Sequence, residues 1–261
     1  MQGPSISSDN KLQFHCPKSW GELSQQQLRY VLTLLASGKY ESIEIRTMMV
    51  MRFCGIKVLK KHTDGFWSCS VTLANGKKHL FDLQTWQVHD MAGQMQFIDK
   101  PEDMDIVLED ICGYHAVDKL LHGLVFIDYL NLEACYQGWI YTKSPERVEA
   151  MARILYRDNQ GNLPENLKLN DAEVLGTLFW YYHIKTIFAR QFDHFFKPVA
   201  SMGKEYNFLD AVNAQIRALT DGDVTKNETI RLLDCWECLT ELDAKAQEAE
   251  EFKKKYGNNK P

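Results

Sequence analysis

The sequence predicts an α+β fold that is predominantly α-helical, with a helical core around one long aromatic helix and a small β-hairpin element in the N-terminal part. Three observations predict it. The stretch Asp171 to Phe196 holds eight aromatic residues, and between Val174 and Phe192 only Lys185 and Arg190 carry full charges. Apolar residues recur at helical spacing through most of the chain beyond Val117. Asn75-Gly76 separates two strand-like runs, Phe66 to Leu73 and Lys78 to Phe81, which is the strongest short signal for a hairpin.

The aromatic stretch carries its own start and stop. Asn170 can cap it, Glu173 sits at the capping-box position, and Pro198 closes it. As one helix it would be about 39 Å long at ~1.5 Å per residue. Its first half, Leu178 to Ile184, is apolar nearly all round and has no face to give to water, so the helix belongs at the centre of a core.

The other elements follow in chain order. Residues 1–13 are polar and read as loose. Ser24 is an N-cap with Gln27 at the box position, opening a helix through Leu28, Val31, Leu32 and Leu35 that Gly38 ends. A second helix covers Glu41 to Phe53. Ile56 to Lys60 reads as a short strand before the hairpin, whose two turn residues are expected at positive φ. Trp86 to Phe97 returns to helical spacing. Val117 to Tyr141 reads as one long helix weakened at Gly123 and Gly138. Ser144-Pro145 starts the next, and Tyr206 to Leu219 forms a shorter amphipathic one. Thr225 with Glu228 opens the last, whose inner stripe is Leu232, Trp236, Leu239 and Ala246.

Asp99 to Asp105 is a polar, proline-containing break. The expected organisation is an α+β region at 1–98, an acidic linker at 99–110, a helical domain at 111–255 and a flexible tail at 256–261. Net charge is −5 but unevenly placed: residues 1–100 hold 12 basic and 8 acidic side chains, and residues 101–200 hold 9 and 15. The whole chain is therefore no polyanion binder, although its first part is mildly attractive to one. No apolar run approaches the ~20 residues of a membrane span. With no basic start and no apolar h-region at the N-terminus, the expectation is a cytosol, with the seven cysteines as reduced thiols. Asn227-Glu228-Thr229 matches a glycosylation sequon that has no role in such a setting.

The strong catalytic and cofactor motifs are missing from the sequence. It has no Walker or dinucleotide glycine loop, no Gly-x-Ser-x-Gly, no His-Glu-x-x-His and no Glu-x-x-His pair. No catalytic residue and no cofactor is assigned. Weaker constellations remain. Cys235-Trp236-Glu237-Cys238 is a lone C-x-x-C placed about ten residues into the last predicted helix, away from the N-terminus that would activate it, and reads as two packed thiols. Cys112, His115, Asp118 and His122 are metal-ligand types at spacings that can share one side of a helix, against the plainer reading of polar groups near a helix end. Asp221 to Thr225 opens like a calcium loop, but Lys226 stands where glycine is needed. Lys57, Lys60, Lys61, Lys77 and Lys78 cluster around the hairpin near Trp67, as on a single-stranded nucleic-acid surface. Edge lysines also guard strands against mispairing.

Pro17-Lys18-Ser19-Trp20-Gly21-Glu22-Leu23, Asp128-Tyr129-Leu130 with Tyr136-Gln137-Gly138, and the Phe179-Trp180 helix resemble uncharacterised proteins of phages and prophages encoded among tail and morphogenesis genes. The resemblance covers most of the chain. It implies an assembly or virion role, akin to a tail-assembly chaperone, with other phage structural or assembly proteins or a second copy as partners, and it transfers no site residue. The expected function is a non-enzymatic structural or assembly protein acting through protein contacts, without membrane attachment. The alternatives are a nucleic-acid-binding accessory protein using the basic hairpin, or an enzyme with a site assembled from distant residues such as His115, His122 or Asp128.

Overall fold

Ser24 and Gln27 do close a capping box: Gln27 N donates to Ser24 Oγ at 3.3 Å and Ser24 N to Gln27 Oε1 at 2.9 Å. They open α1, Gln25–Ser37, in the computed structural model of this chain, which describes residues 4–6, 12–197 and 208–256. Gly38 ends α1 at φ +60, a left-handed conformation that costs glycine little. The fold is α+β and mostly helical. The chain divides into two units, 1–108 with 170–176, and 109–169 with 177–261.

In the first unit a short β1, Ser5–Ile6, pairs with β2, Leu12–Gln13, where the sequence reads as loose. After α1 comes α2, Ser42–Phe53. An antiparallel sheet follows, with β3 (Lys57–Lys61), β4 (Phe66–Thr72) and β5 (Lys78–Gln84) in that order. Helix α3, Thr85–Gly93, is shorter than its predicted run to Phe97, which finishes as a 3-10 turn. The core joins Leu28, Val31 and Leu32 of α1, Met49 and Val50 of α2, and Val88 and Ala92 of α3 to Cys69 and Val71 of β4. The hairpin lies where Asn75-Gly76 places it, but only Gly76 takes a positive φ, at +79. Gly76 N donates to Leu73 O and Leu73 N to Lys77 O, so the loop is a three-residue turn with a left-handed third residue, and no two-residue turn with both φ positive.

The polar segment after Asp99 is no loose linker. Lys100 O accepts from the Trp20 indole at 3.1 Å and Val107 O from Gln25 Nε2 at 2.9 Å, while Met104 and Leu108 are buried. This unit also takes 170–176, where Asn170 and Glu173 form the predicted capping box of α6 (Asp171–Gln191). Cys16 and Cys54 are joined as a disulfide, with Cα atoms 6.3 Å apart. That corrects the expectation of seven reduced thiols, because the two sit at a separation a disulfide spans.

The second unit opens with an unpredicted antiparallel sheet of β6 (Asp110–Ile111), β7 (Tyr114–Ala116) and β8 (Tyr156–Arg157). Then come α4 (Phe126–Thr142) and α5 (Pro145–Leu155). Beyond the rest of α6 lie α7 (Phe208–Thr220), α8 (Asn227–Arg231) and α9 (Cys235–Tyr256). The predicted start of α7 at Tyr206, the closing Pro198 and the tail beyond Tyr256 lie outside the described residues. Trp180, Tyr181, Ile184 and Phe188 of α6 are buried among Phe126, Tyr129 and Leu130 of α4 and Leu239 of α9. Phe188 meets Trp236 edge-on at 5.2 Å. The aromatic helix is thus a core element, although Tyr182 is 43% exposed and its last residues, Ala189 to Gln191, are exposed too.

Candidate functional site

Three places bring together the residues that the sequence singles out. The first is the sheet β3-β4-β5. Facing pairs share a side, so the register sorts the basic cluster. Lys57 faces Ser70, Lys60 faces Ser68 and Thr72 faces Lys78, all on the side opposite the core. Lys61 faces Trp67 on the other side, its Nζ 4.0 Å from the indole centroid, and Lys77 lies in the turn. The reason is a bulge between Val58 and Lys60, which inserts Leu59 and reverses the side on which Lys60 and Lys61 point. Of the six residues proposed for nucleic acid, Lys57, Lys60 and Lys78 share the outer face, and Lys61, Lys77 and Trp67 do not. Beside the three lysines, the His62 ring stacks on Phe66 at 4.1 Å, and Leu59 and Leu80 are exposed.

This face also holds a chain that the sequence does not reveal. Ser68 Oγ donates to Asp82 Oδ1 at 2.8 Å and lies 3.0 Å from His62 Nε2. With the hydroxyl proton on Asp82, His62 serves as the donor to Ser68. A nucleophilic serine needs the reverse, an imidazole that accepts its proton while a carboxylate holds the other ring nitrogen. The arrangement tethers the sheet and does not activate Ser68.

The second place is the turn before α4. The predicted helix from Val117 starts only at Phe126, because Leu121 at φ +66 and Gly123 at φ +78 break it. Successive carbonyls of this turn are taken by donors distant in sequence: Lys119 O by the Trp180 indole, Leu120 O by the Trp236 indole, both at 2.8 Å, and Leu121 O by Cys235 Sγ. His122 stacks on Trp236 at 4.6 Å and lines a pocket of about 310 Å³ with Asp128 and Arg157. Arg157 Nη2 donates to Asp128 Oδ2 at 3.2 Å. Burial pushes the Asp128 carboxyl up despite the guanidinium, and burial likewise lowers Arg157. Desolvation thus outweighs the attraction between them.

The four proposed metal ligands are not on one helix. Cys112 is in the β6-β7 turn with Sγ on Lys168 O, and His115 on β7 sits 3.8 Å from Asp110. Asp118 accepts from Leu120 N and His122 N. The helical spacing that would group them fails because the helix begins later. Among the described residues no three His, Cys, Asp or Glu side chains are arranged to hold a metal. Of the distant-site candidates, His122 and Asp128 share the pocket and His115 is outside it.

The third place is α9. Its first residue is Cys235, because α8 ends at Arg231 and Asp234 Oδ1 accepts from Trp236 N at 2.7 Å. The C-x-x-C therefore stands at a helix N-terminus, not ten residues inside. The chemistry is still that of packed thiols. Burial first, then Asp234, push Cys235 up to about 12; burial, then Glu237, push Cys238 up to about 11. At its other end α9 leaves the core: Phe252 is 65% exposed and Tyr256 52%, with ring centroids 4.7 Å apart.

Among the described residues no helix is long and apolar enough to cross a membrane. Compared with family models, with curated proteins and with solved structures, the chain finds no match.

Proposed function

We propose that this protein acts by non-covalent contact with other proteins in phage particle assembly, in the host cytoplasm or on the virion, and that the far end of α9 is a contact element. The observation that carries the reading is the exposed Phe252-Tyr256 pair on a helix anchored at its other end by buried Cys235, Cys238, Leu239 and Leu242. A rigid helix presenting two aromatic rings suits insertion of side chains into a partner's groove. The test uses the full chain as bait against the products of genes flanking its own. The reading expects at least one tail or morphogenesis product to bind, and F252D/Y256D to abolish that binding while the circular dichroism spectrum is kept. Binding to none of them, or binding indifferent to F252D/Y256D, overturns it.

A second reading, single-stranded nucleic acid on the sheet, is favoured by Lys57, Lys60 and Lys78 sharing one face with the stacked His62-Phe66 pair. It expects K57Q/K60Q/K78Q to weaken binding of a labelled single strand and to lower the salt slope by about 2, at ~0.7 for each phosphate that is no longer neutralised. It expects K61Q/K77Q to change little. No binding at low salt removes this reading.

A further inference from the structure

Residues of α9 fall on a seven-residue repeat. Cys235, Leu242, Ala249 and Tyr256 occupy one position of it, and Cys238, Lys245 and Phe252 another. The first half of this seam is buried: Cys235, Cys238 and Leu242 are at most 4% exposed. The second half continues the same line past the core, with Ala249, Phe252 and Tyr256 all exposed. A seam of this period is what pairs one helix with another. The charges beside it change sign midway. Glu248, Glu250 and Glu251 precede Phe252, and Lys253, Lys254 and Lys255 follow it. Glu250 is engaged by Lys197 and His194, whereas Glu248 and Lys255 flank the seam. An acidic block followed by a basic one is complementary to itself when reversed.

We infer that the last three turns of α9 pair antiparallel with the same turns of a second copy of this chain, an inference that rests on the preceding reading of α9 as a contact element. In the register that sets Phe252 of one copy on Ala249 of the other, a large side chain meets a small one. Glu248 of each copy then faces Lys255 of its partner, and the two-fold repeats both contacts. A parallel pairing instead sets acid against acid and base against base. Three turns bury well under the ~1,200 Å² of a stable interface, so the pair forms at high concentration and dissociates on dilution.

The experiment is light scattering on the full chain across a dilution series, with surface variants that leave the core intact. The expected result is a mass rising from one copy towards two with concentration. E248K alone and K255E alone each stay monomeric, and an equal mixture of the two variants recovers the dimer, as does the double variant E248K/K255E. A wild type that is monomeric throughout overturns the inference, and so does dimerisation that E248K and K255E leave unchanged. The two failures are separable. If the chain is monomeric but F252D/Y256D still abolishes binding to a flanking-gene product, self-pairing falls and the contact reading stands. If F252D/Y256D alters neither association, both fall.

Discussion

Lys185 Nζ lies 2.9 Å from both carboxylate oxygens of Glu133, joining α6 to α4 inside the second unit. Tyr181 Oη donates to Glu133 Oε2 and Gln137 Nε2 to Oε1, both at 2.6 Å. Burial would push this carboxyl up, but Lys185 and the two neutral donors outweigh it and hold the group below its ordinary 4.5. The same burial and the carboxylate push the Tyr181 phenol well above its usual range. Removing one charge strands the other, so Lys185→Met is expected to cost about 3 kcal/mol in urea unfolding, and Glu133→Gln less. A depressed folded value makes the contribution of Glu133 full above pH 4.5, and it is lost as pH falls through the lower folded value. The stability gap between wild type and Glu133→Gln should therefore narrow in acid. A gap that is flat from neutral pH downward would refute the assignment.

The cysteines should separate into three classes under alkylation and mass spectrometry. Cys112 is exposed and should react in the native protein. Cys235, at about 12 against an ordinary 9.0, holds about a thousandfold less thiolate and should stay unlabelled until unfolding. Cys16 and Cys54 should label only after reduction. Their separation of 38 residues puts the stabilisation lost on reduction, or in Cys54→Ser, at no more than about 4 kcal/mol. Native labelling of Cys235 would disprove the packed-thiol reading.

Gly176 is a packing position. A Cβ there would come 3.0 Å from both Leu108 Cδ1 and Leu32 Cδ1, and both leucines are buried. Alanine gains about 1 kcal/mol of helix propensity but overpacks by about 1–3 kcal/mol, so Gly176→Ala should be destabilising by roughly 1 kcal/mol and Gly176→Val by more. A more stable Gly176→Ala protein would mean that the leucines can move aside.

Trp236→Phe keeps an aromatic, though smaller, side chain and removes the indole donor to Leu120 O. The expected loss is about 1–3 kcal/mol, with faster amide exchange at His122 and Gly123 than at α5. Exchange rising equally across the unit would instead mean global destabilisation only.

What could be read from the residues alone was local. Ser24 with Gln27 and Asn170 with Glu173 form their boxes because the partners are three residues apart and need nothing else. The hairpin was legible because Gly76 accepts a left-handed φ, and the aromatic helix because its composition leaves almost no polar face. Where α4 begins was not legible. The turn before it is held by indoles 61 and 116 residues away in sequence, so helical spacing from Val117 onward misled. The same late start dissolves the apparent metal quartet, since local periodicity carries no record of which carbonyl a distant donor will take. Cys235 was misplaced separately, because the helix opening near Thr225 ends at Arg231 and a new one begins at Cys235. The basic cluster divided for a similar reason. Strand residues alternate sides with period 2, and one bulge at Leu59 decides whether Lys60 or Lys61 shares the outer face with Lys57. Patterning along the chain thus determined the elements, and long-range pairing, whose energy depends on partners no window contains, decided their ends and which side chains meet.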